Sequence, residues 1–412
     1  MLKGVPQTMD ITSIKAILHY LSNEILPSKF ETAQQPEPNT IQIGFRGIKN
    51  INWIEVSWQG DCARILKIKR PERIGSTSTL AKQLSYGLKY MALVSIKQDK
   101  FERVIELAFA KKPGDLISKY LVFELMGKHS NIFYLDKNLK IIAVGKQIQS
   151  NQSSFRTITT GGFYSPPPPT LKKEPNEKES FENWKKNLSL LQKPLKKCLI
   201  DNYQGVSPIL IKQFEYLAKL SRDNVIETNI ELIDDITLKK IYMVWISWVD
   251  RFKKNRFNFS TYDEYFYSVW FLDSETNKQE NLELCSDISD YYDHFLTLKK
   301  IEQIISKIDS IIYKQTIIEQ RNLDMQSKLL ENSENFEEYK LKADDIFLKI
   351  DLKKKDIIEA EKLYKKSKKL KRAKHLIENR LNLYRENLNR LDEYSFMIEN
   401  LNKIKIGTLK NK

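Results

Sequence analysis

Four side chains with complementary polar chemistry stand in one unbroken run, Lys128-His129-Ser130-Asn131. They offer a cation, an imidazole, a hydroxyl and an amide, a set suited to phosphate and ribose contacts. Gly127 precedes them and can supply a positive φ or let a partner approach the backbone closely. The same run also fits the solvated tip of an ordinary hairpin, and composition leaves both readings open. A second concentration comes later, where Lys362, Lys365, Lys366, Lys368, Lys369, Lys371, Arg372 and Lys374 cover nearly the whole circumference of a helix. Like charges at close helical spacing repel one another. An anionic partner relieves that repulsion, and each phosphate neutralised makes affinity more salt-dependent; a solvated charged face is the alternative. The third is Tyr203-Gln204-Gly205-Val206-Ser207-Pro208. Such a turn either presents a helix N-terminus to phosphate or simply joins two helices, with Ser207 as cap and Pro208 in the first helical position.

Other chemistries find little support. Cys62, Cys198 and Cys285 are far apart and odd in number, and His19, His129, His294 and His375 are scattered. That spacing suits neither zinc nor a disulfide framework, so reduced structural cysteines, a cytoplasmic location and no metal or cofactor are expected. No apolar run is long enough to span a bilayer and residues 1–8 lack a signal-peptide core, so no membrane partner is expected. The net charge of +15, from 68 basic and 53 acidic residues, favours a polyanionic partner.

The elements that must position these groups change character along the chain. Residues 9–12 open an amphipathic helix, with Asp10 or Thr12 as N-cap and Ile14, Ile17, Leu18 and Leu21 as its apolar face. Strand patterns follow at 41–45, 53–58, 63–68, 92–96 and 103–108, with a helix at 78–90 and a turn-rich lead at 34–40. Residues 120–136 read as strand, tight turn, strand, and 139–148 continues the sheet. Pro166 to Pro169 and the charged stretch after them make a boundary. Residues 209–406 then contain neither Gly nor Pro, as a mostly helical half requires. The aromatic-rich residues 257–272 (with Tyr265 among the aromatics) suit a small β or mixed unit whose rings pack in a core or stack on bases. Ile301, Ile304, Ile308, Ile311, Ile318, Met325 and Leu329 trace a heptad seam on one long helix, with Gln315 and Asn322 as its polar members. Leu370, Ala373, Ile377, Leu381, Tyr384, Leu388, Leu391, Ile398 and Leu401 trace one on a return arm that begins near Leu363, after a less regular insert at 331–358. Two such seams suggest an antiparallel coiled coil within the chain, a parallel dimeric coil being the rival.

Glu124-Leu125-Met126-Gly127-Lys128-His129-Ser130-Asn131 resembles the Glu-hydrophobic-Met-Gly-Arg/Lys-His-Ser-Asn signature of the NFACT family. The Gly-hydrophobic-Ser-Pro turn at 205–208, the 153–157 and 161–164 stretches and the basic run near residue 364 also resemble family motifs. Where the family carries Asp-Arg before a strand this chain has Glu102-Arg103, and the basic Arg-Lys-His of the preceding helix is replaced around Gln83-Leu84-Ser85. The resemblance covers nearly everything from Met9 to about residue 400 and implies Met9 as the natural start. It implies an α+β N-terminal domain, similar to the formamidopyrimidine-DNA glycosylase N-terminal fold, followed by an all-α half. The parts would be an NFACT-N α/β domain at 9–169, a linker at 170–183 and a helix-hairpin-helix-like module at 184–250. An aromatic-rich connecting segment at 251–290 and a coiled-coil hairpin at 291–402 would complete it. The C-terminal NFACT-R domain usual in the family has no counterpart in these 412 residues, and a separate chain could supply it.

The resemblance also implies a role: binding a stalled large ribosomal subunit that carries peptidyl-tRNA, and recruiting charged tRNA, alanyl in bacterial members, for untemplated tailing of the nascent chain. The ribosome would supply the chemistry, so the chain would be no enzyme. Asp10, Glu102, Arg103, Glu124, Met126, Lys128, His129 and Asn131 would bind tRNA, and the Lys362–Lys374 cations would bind ribosomal RNA. Glycosylase chemistry needs an N-terminal proline amine, and Pro6 is internal. A member that binds ribosome or tRNA without supporting tailing, and a surface adhesin of the kind suggested by the fibronectin-binding label attached to the family, are the alternatives.

Overall fold

The structure, a computed structural model, describes every residue except 1–6, 76–77, 150, 152–155, 169–170, 191, 221–223, 263–265, 272–282, 334, 352 and 411–412. Ser153, Ser154 and Phe155, Pro169, Tyr265, Leu272 and most of the N-terminal extension therefore lie outside the described residues. The chain divides into two units, Met1–Leu296 and Thr297–Lys412.

In the first unit α1 (Ile11–Ile25) starts on Asp10, whose carboxylate accepts the Ser13 amide at 2.8 Å. This settles the N-cap in favour of Asp10 over Thr12. The α1 face expected from the spacing, Ile14, Ile17, Leu18 and Leu21, is buried. Nine strands form one antiparallel sheet: β1 (Ser28–Glu37), β2 (Thr40–Arg46), β3 (Ile51–Ser57), β4 (Arg64–Ile68), β5 (Ala92–Gln98), β6 (Val104–Ala110), β7 (Lys119–Glu124), β8 (Asn131–Asp136) and β9 (Ile141–Val144). Their order is β4-β3-β2-β1-β5-β6-β7-β8-β9. The turn-rich lead expected at 34–40 is largely strand. β1 runs through Pro36 to Glu37 and reverses at Pro38-Asn39, because Glu37 pairs with Thr40. Pro36, which has no N–H to give, sits where the β1–β2 ladder is irregular.

Both faces of the β7–β8 end are covered. Leu121, Phe123, Ile132 and Tyr134 join the core shared with α1 and α2 (Thr79–Gly87), while Val122, Phe133 and Leu135 pack on the other side with Ile141 and Ile158. Burial on two faces is why these strands read as unbroken apolar runs instead of alternating ones.

A second core is helical and rich in tryptophan. α3 (Phe181–Leu188), α4 (Leu195–Asn202), α5 (Pro208–Leu217) and α6 (Asp235–Lys253) enclose Trp184, Trp245 and Trp248, and Trp270 joins them. The aromatic-rich segment forms the pair β10 (Ser260–Tyr262) and β11 (Phe266–Ser268). Its Tyr262, Tyr267, Trp270 and Phe271 are buried, so these rings serve packing. Gln213 satisfies two of its groups, donating to the Tyr267 carbonyl at 3.1 Å and accepting the Trp270 indole N–H at 2.6 Å. The two cores interlock. Phe101, at the entry to β6, stacks on Phe252 at 4.6 Å, and Trp248 donates to the Thr12 hydroxyl at 3.0 Å. Residues on both sides of the boundaries expected at 169, 183 and 250 thus lie within one compact unit.

α7 (Leu284–Ser333) buries Leu284, Cys285, Ile288 and Tyr292 in the first unit, and its remainder belongs to the second. There the insert expected to be irregular contains α8 (Phe336–Phe347), and α9 (Lys354–Lys410) begins earlier than Leu363. α8 packs antiparallel on the start of α9. The Ser367 hydroxyl donates to the Phe336 carbonyl at 2.7 Å, and Phe347 stacks on Tyr364 at 6.0 Å. On α9 the expected seam is the covered one from Leu370 to Ile398, with Leu401 exposed. On α7 it is not. The covered line is Leu298, Ile305, Ile312, Thr316, Glu319, Leu323 and Gln326, one residue on from the isoleucine line, and Ile301, Ile304, Ile308, Ile311, Ile318, Met325 and Leu329 are exposed. Periodicity gives the spacing of a seam but not which of two adjacent registers is covered.

Candidate nucleic-acid interface

The eight-residue signature divides into side chains that build the turn and side chains left free by it. Glu124 and Asn131 face each other as the last pair of the β7–β8 ladder. Between them the chain makes one 3-10 turn, Gly127–His129, entered through Gly127 at φ +58°. Ser130 is buried and closes the turn. Its hydroxyl accepts the Met126 amide at 2.8 Å, and its amide donates to the Gly127 carbonyl at 2.9 Å. Asn131 is buried too, and its side-chain amide grips the segment just after β9, donating to the Lys146 carbonyl at 2.7 Å and accepting the Lys146 amide at 2.8 Å. Glu124 is 2% exposed and takes a hydrogen bond from Arg156 at 2.6 Å and one from the Tyr164 hydroxyl at 3.0 Å. Burial raises its carboxyl above the ordinary value, and Arg156 and Tyr164 oppose that. Glu124 and Asn131 thus form the interior of the turn and not the surface expected of them. The resemblance identified the motif correctly, but burial has already committed their polar groups. Lys128 and His129 are exposed and Met126 half-buried.

A cleft of about 360 Å³ lies beside this turn. Glu102, Arg103 and Met126 form one wall, and Tyr203, Gln204, Gly205, Val206, Ser207 and Pro208 form another, with Lys172 at the rim. The β6–β7 ladder explains the first wall: the Leu125 amide donates to the Arg103 carbonyl at 2.9 Å, which sets Met126 beside Arg103. The second wall is the turn between α4 and α5. Ser207 caps α5, its hydroxyl accepting the Leu210 amide at 3.1 Å, and Pro208 follows at the first helical position. Gly205 sits at φ +73°, and a Cβ there would come within 2.9 Å of the Phe101 ring, so only glycine fits. The sequence offered Gly205 as a signal for this wall. Lys172 sits in the stretch read as linker and has no such signal; the wall is held there because the Lys173 amide donates to the Asn202 carbonyl at 2.8 Å.

The Arg103 side chain makes no hydrogen bond or ion pair among the described residues, and the residue is half-buried. Burial draws its guanidinium below the ordinary value, while the charges of Asp10 and then Glu102 act the other way. The result is a planar five-donor cation held in a cleft with its donors uncommitted, beside the positive end of a ten-residue helix. Both features suit a phosphate or a planar polar edge.

Asp10 is buried behind this cation. Burial lifts its carboxyl above the ordinary value of 3.8, more than the Ser13 contacts and the Arg103 charge lower it. A carboxyl raised in the folded state binds its proton more tightly there than in the unfolded chain. Stability therefore falls as pH rises from about 4 through the folded pKa. Asp10→Asn keeps the cap acceptor and removes the titrating group. Between about pH 4 and pH 7, denaturant titrations should show the parent losing stability relative to Asp10→Asn. A parent that gains on the variant over that range would mean Arg103, and not burial, dominates the carboxyl.

The α9 cations are arranged differently. The side chains of Lys362, Lys365, Lys368, Lys369, Lys371 and Arg372 are exposed and make no hydrogen bond or ion pair among the described residues. Two of the expected group are partly engaged: Lys366 donates to the Tyr339 hydroxyl at 3.0 Å, and Lys374 lies over the Phe336 ring at 5.9 Å. α8 thus covers one side of the basic helix and leaves the rest to solvent. No cluster of metal-ligating side chains occurs among the described residues, and no described helix is long and apolar enough to cross a membrane.

Residues 10–356 match the family model described as NFACT N-terminal and middle domains. The chain is 30% identical over 158 residues to the Rqc2 homolog RqcH of Streptococcus pneumoniae, a match covering 37% of this chain and 29% of that protein. It is 28% identical over 236 residues to the Rqc2 homolog RqcH of Bacillus subtilis, covering 55% and 38% respectively. The matches therefore span well under half the length of these relatives. Among solved structures, the N-terminal part of the fibronectin/fibrinogen-binding protein from Streptococcus suis superposes with a TM-score of 0.52 at 22% identity. That match covers 70% of this chain and all of that one.

Proposed function

The chain belongs to the NFACT family, and from that premise we propose that it is a ribosome quality control factor that positions tRNA. It binds a large ribosomal subunit carrying peptidyl-tRNA in the cytoplasm and holds an incoming charged tRNA in the cleft of the first unit. Peptidyl transfer is left to the ribosome, so the chain itself catalyses nothing. The observation that carries this reading is Arg103, an uncommitted guanidinium beside the capped N-terminus of α5. The charges of Asp10 and Glu102 favour its cationic form, Met126 supplies an apolar wall, and Lys128 and His129 extend the contact along the turn. The α4–α5 turn is a helix-hairpin-helix-like element, and the sheet domain is the counterpart of the formamidopyrimidine-DNA glycosylase N-terminal fold.

In this reading α7 and α9 are the arms of an antiparallel coiled-coil hairpin. The chain leaves α7 at Ser333, and Phe336 already lies against Ser367 of α9. α8 has 12 residues and covers only the start of α9. The other arm is what remains in that unit to cover Ile377 to Ile398 on α9 and Ile312 to Gln326 on α7. The uncovered cations at the α8 end of α9 grip ribosomal RNA.

Sucrose-gradient sedimentation of tagged protein from translating cells tests the whole reading. Co-migration with the large subunit and enrichment of one charged tRNA are expected. Replacing Lys365, Lys368, Lys369 and Arg372 by Ala should flatten the dependence of log affinity on log salt by up to about 3, at roughly 0.7–0.9 per phosphate contact. Subunit binding without tRNA would leave a ribosome-binding member that does not support tailing. No association at low or moderate salt would remove the ribosomal role.

A further inference from the structure

Arg103 stands just before the strand that carries it, and the sheet holds it from one side only. The β5–β6 pairing ends with Gln98 opposite Ile105, and the chain from Asp99 to Arg103 turns outside that ladder. The peptide that leaves Arg103 is fixed by β7, because the Arg103 carbonyl accepts the Leu125 amide at 2.9 Å. The peptide that enters Arg103 has no such partner. Among the described residues, no backbone amide meets the Glu102 carbonyl.

A side chain takes that place. Gln98 Nε2 donates to the Glu102 carbonyl at 2.8 Å, to the Lys100 carbonyl at 2.9 Å and to the Asp99 carbonyl at 3.0 Å. A primary amide has two N–H protons, so at least one of them is shared between acceptors. The turn depends on contacts outside itself, since Lys100 holds φ +43°, a conformation disfavoured for a residue with a side chain. Lys100 pairs with Glu174 and Phe101 is buried against Phe252, but neither contact touches the peptide between Glu102 and Arg103. Water could hydrate these half-exposed carbonyls one by one. Only a single amide ties all three of them to the end of β5.

We propose that Gln98 is a positioning residue for Arg103. With the planar peptides on both sides of Arg103 held, one by Gln98 and one by Leu125, the direction of its Cα–Cβ bond is set before any ligand arrives. The guanidinium then enters the cleft without the ligand having to order the backbone beneath it. The inference rests on the reading of Arg103 as a tRNA contact given under the proposed function.

The test compares Gln98→Met, Arg103→Ala and the double variant of the full chain. Met has nearly the length of Gln and no N–H to donate. Amide hydrogen exchange of the ligand-free protein should quicken over residues 99–103 in Gln98→Met and stay at the parent rate over residues 119–125. Affinity for unfractionated tRNA should fall about three- to tenfold, less than in Arg103→Ala because the cation remains. The melting midpoint should stay at the parent value. In the Arg103→Ala background Gln98→Met should bring no further loss of affinity, whereas a contact that acts independently of Arg103 would lower it in both backgrounds. Gln98→Asn, which keeps the amide on a shorter stem, should fall between the parent and Gln98→Met.

Unchanged exchange over residues 99–103 overturns the brace. Quickened exchange with tRNA affinity kept in Gln98→Met and lost in Arg103→Ala overturns the positioning role and leaves the cleft reading standing. Equal losses in both backgrounds also overturn it. If neither single substitution changes tRNA affinity, the cleft reading fails and this inference fails with it.

Discussion

Arg103→Ala lowers the affinity for tRNA by about ten- to a hundredfold, the range expected when a charge-assisted contact worth about 1.5–3 kcal/mol is removed. The fold is not expected to weaken with it. The Arg103 side chain makes no hydrogen bond or ion pair among the described residues, and burial works against its charge. Removing it therefore takes away a cation that burial disfavours and no side-chain hydrogen bond or ion pair. Arg103→Lys keeps the charge but loses the planar fork, so an intermediate loss is expected if the fork is what reads the ligand. The measurement is tRNA binding by filter retention or polarisation, beside thermal unfolding of each variant. Undiminished binding by Arg103→Ala would show that the cleft is not the tRNA site.

Glu124→Ala gives the opposite pair of results. Its carboxylate is buried and bridges Arg156 and Tyr164. Truncation removes the buried acceptor that the Arg156 guanidinium and the Tyr164 hydroxyl share. Breaking such a pair from one side costs about 3 kcal/mol or more, which lowers the melting midpoint of a unit this large by roughly 5–10 °C. Where the variant is still folded, tRNA affinity should stay close to that of the parent. Glu124→Gln, which keeps one acceptor, should fall between. If Glu124→Ala instead melts like the parent and loses tRNA binding, the carboxylate acts on the ligand directly and the division of the signature drawn above is wrong.

The contrast between these two residues shows how far the sequence could be read. Its motif located the turn at 127–129, the flanking strands and the neighbourhood of Arg103, because those depend on local spacing and on a glycine with one sterically allowed use. It could not separate Arg103 from Glu124. Both are charged residues in a resembling stretch, and only tertiary burial decides that one is committed and the other free. Asn131 and Ser130 were hidden the same way, since a side chain that hydrogen-bonds the backbone looks in sequence like one that binds a ligand. The second wall of the cleft was half legible. Gly205, Ser207 and Pro208 announce a capped helix start, but nothing local says which strand it will face. The long helices mark the limit of periodicity: on α9 the expected line was covered, while on α7 the neighbouring line was, because cover depends on tertiary packing that spacing does not encode.

One consequence of the interlocked cores concerns time and not affinity. A Cβ at Gly205 would strike Phe101, and Phe101 is stacked on Phe252 next to Trp248. The two walls of the cleft are therefore spiked together directly behind Arg103. Widening the gap would mean prying aromatic rings apart, a far slower event than a collision. Such a cleft behaves as a fixed calliper: ligands that match its gauge dock in a single bimolecular step, and those that do not are turned away without any closing motion to wait for.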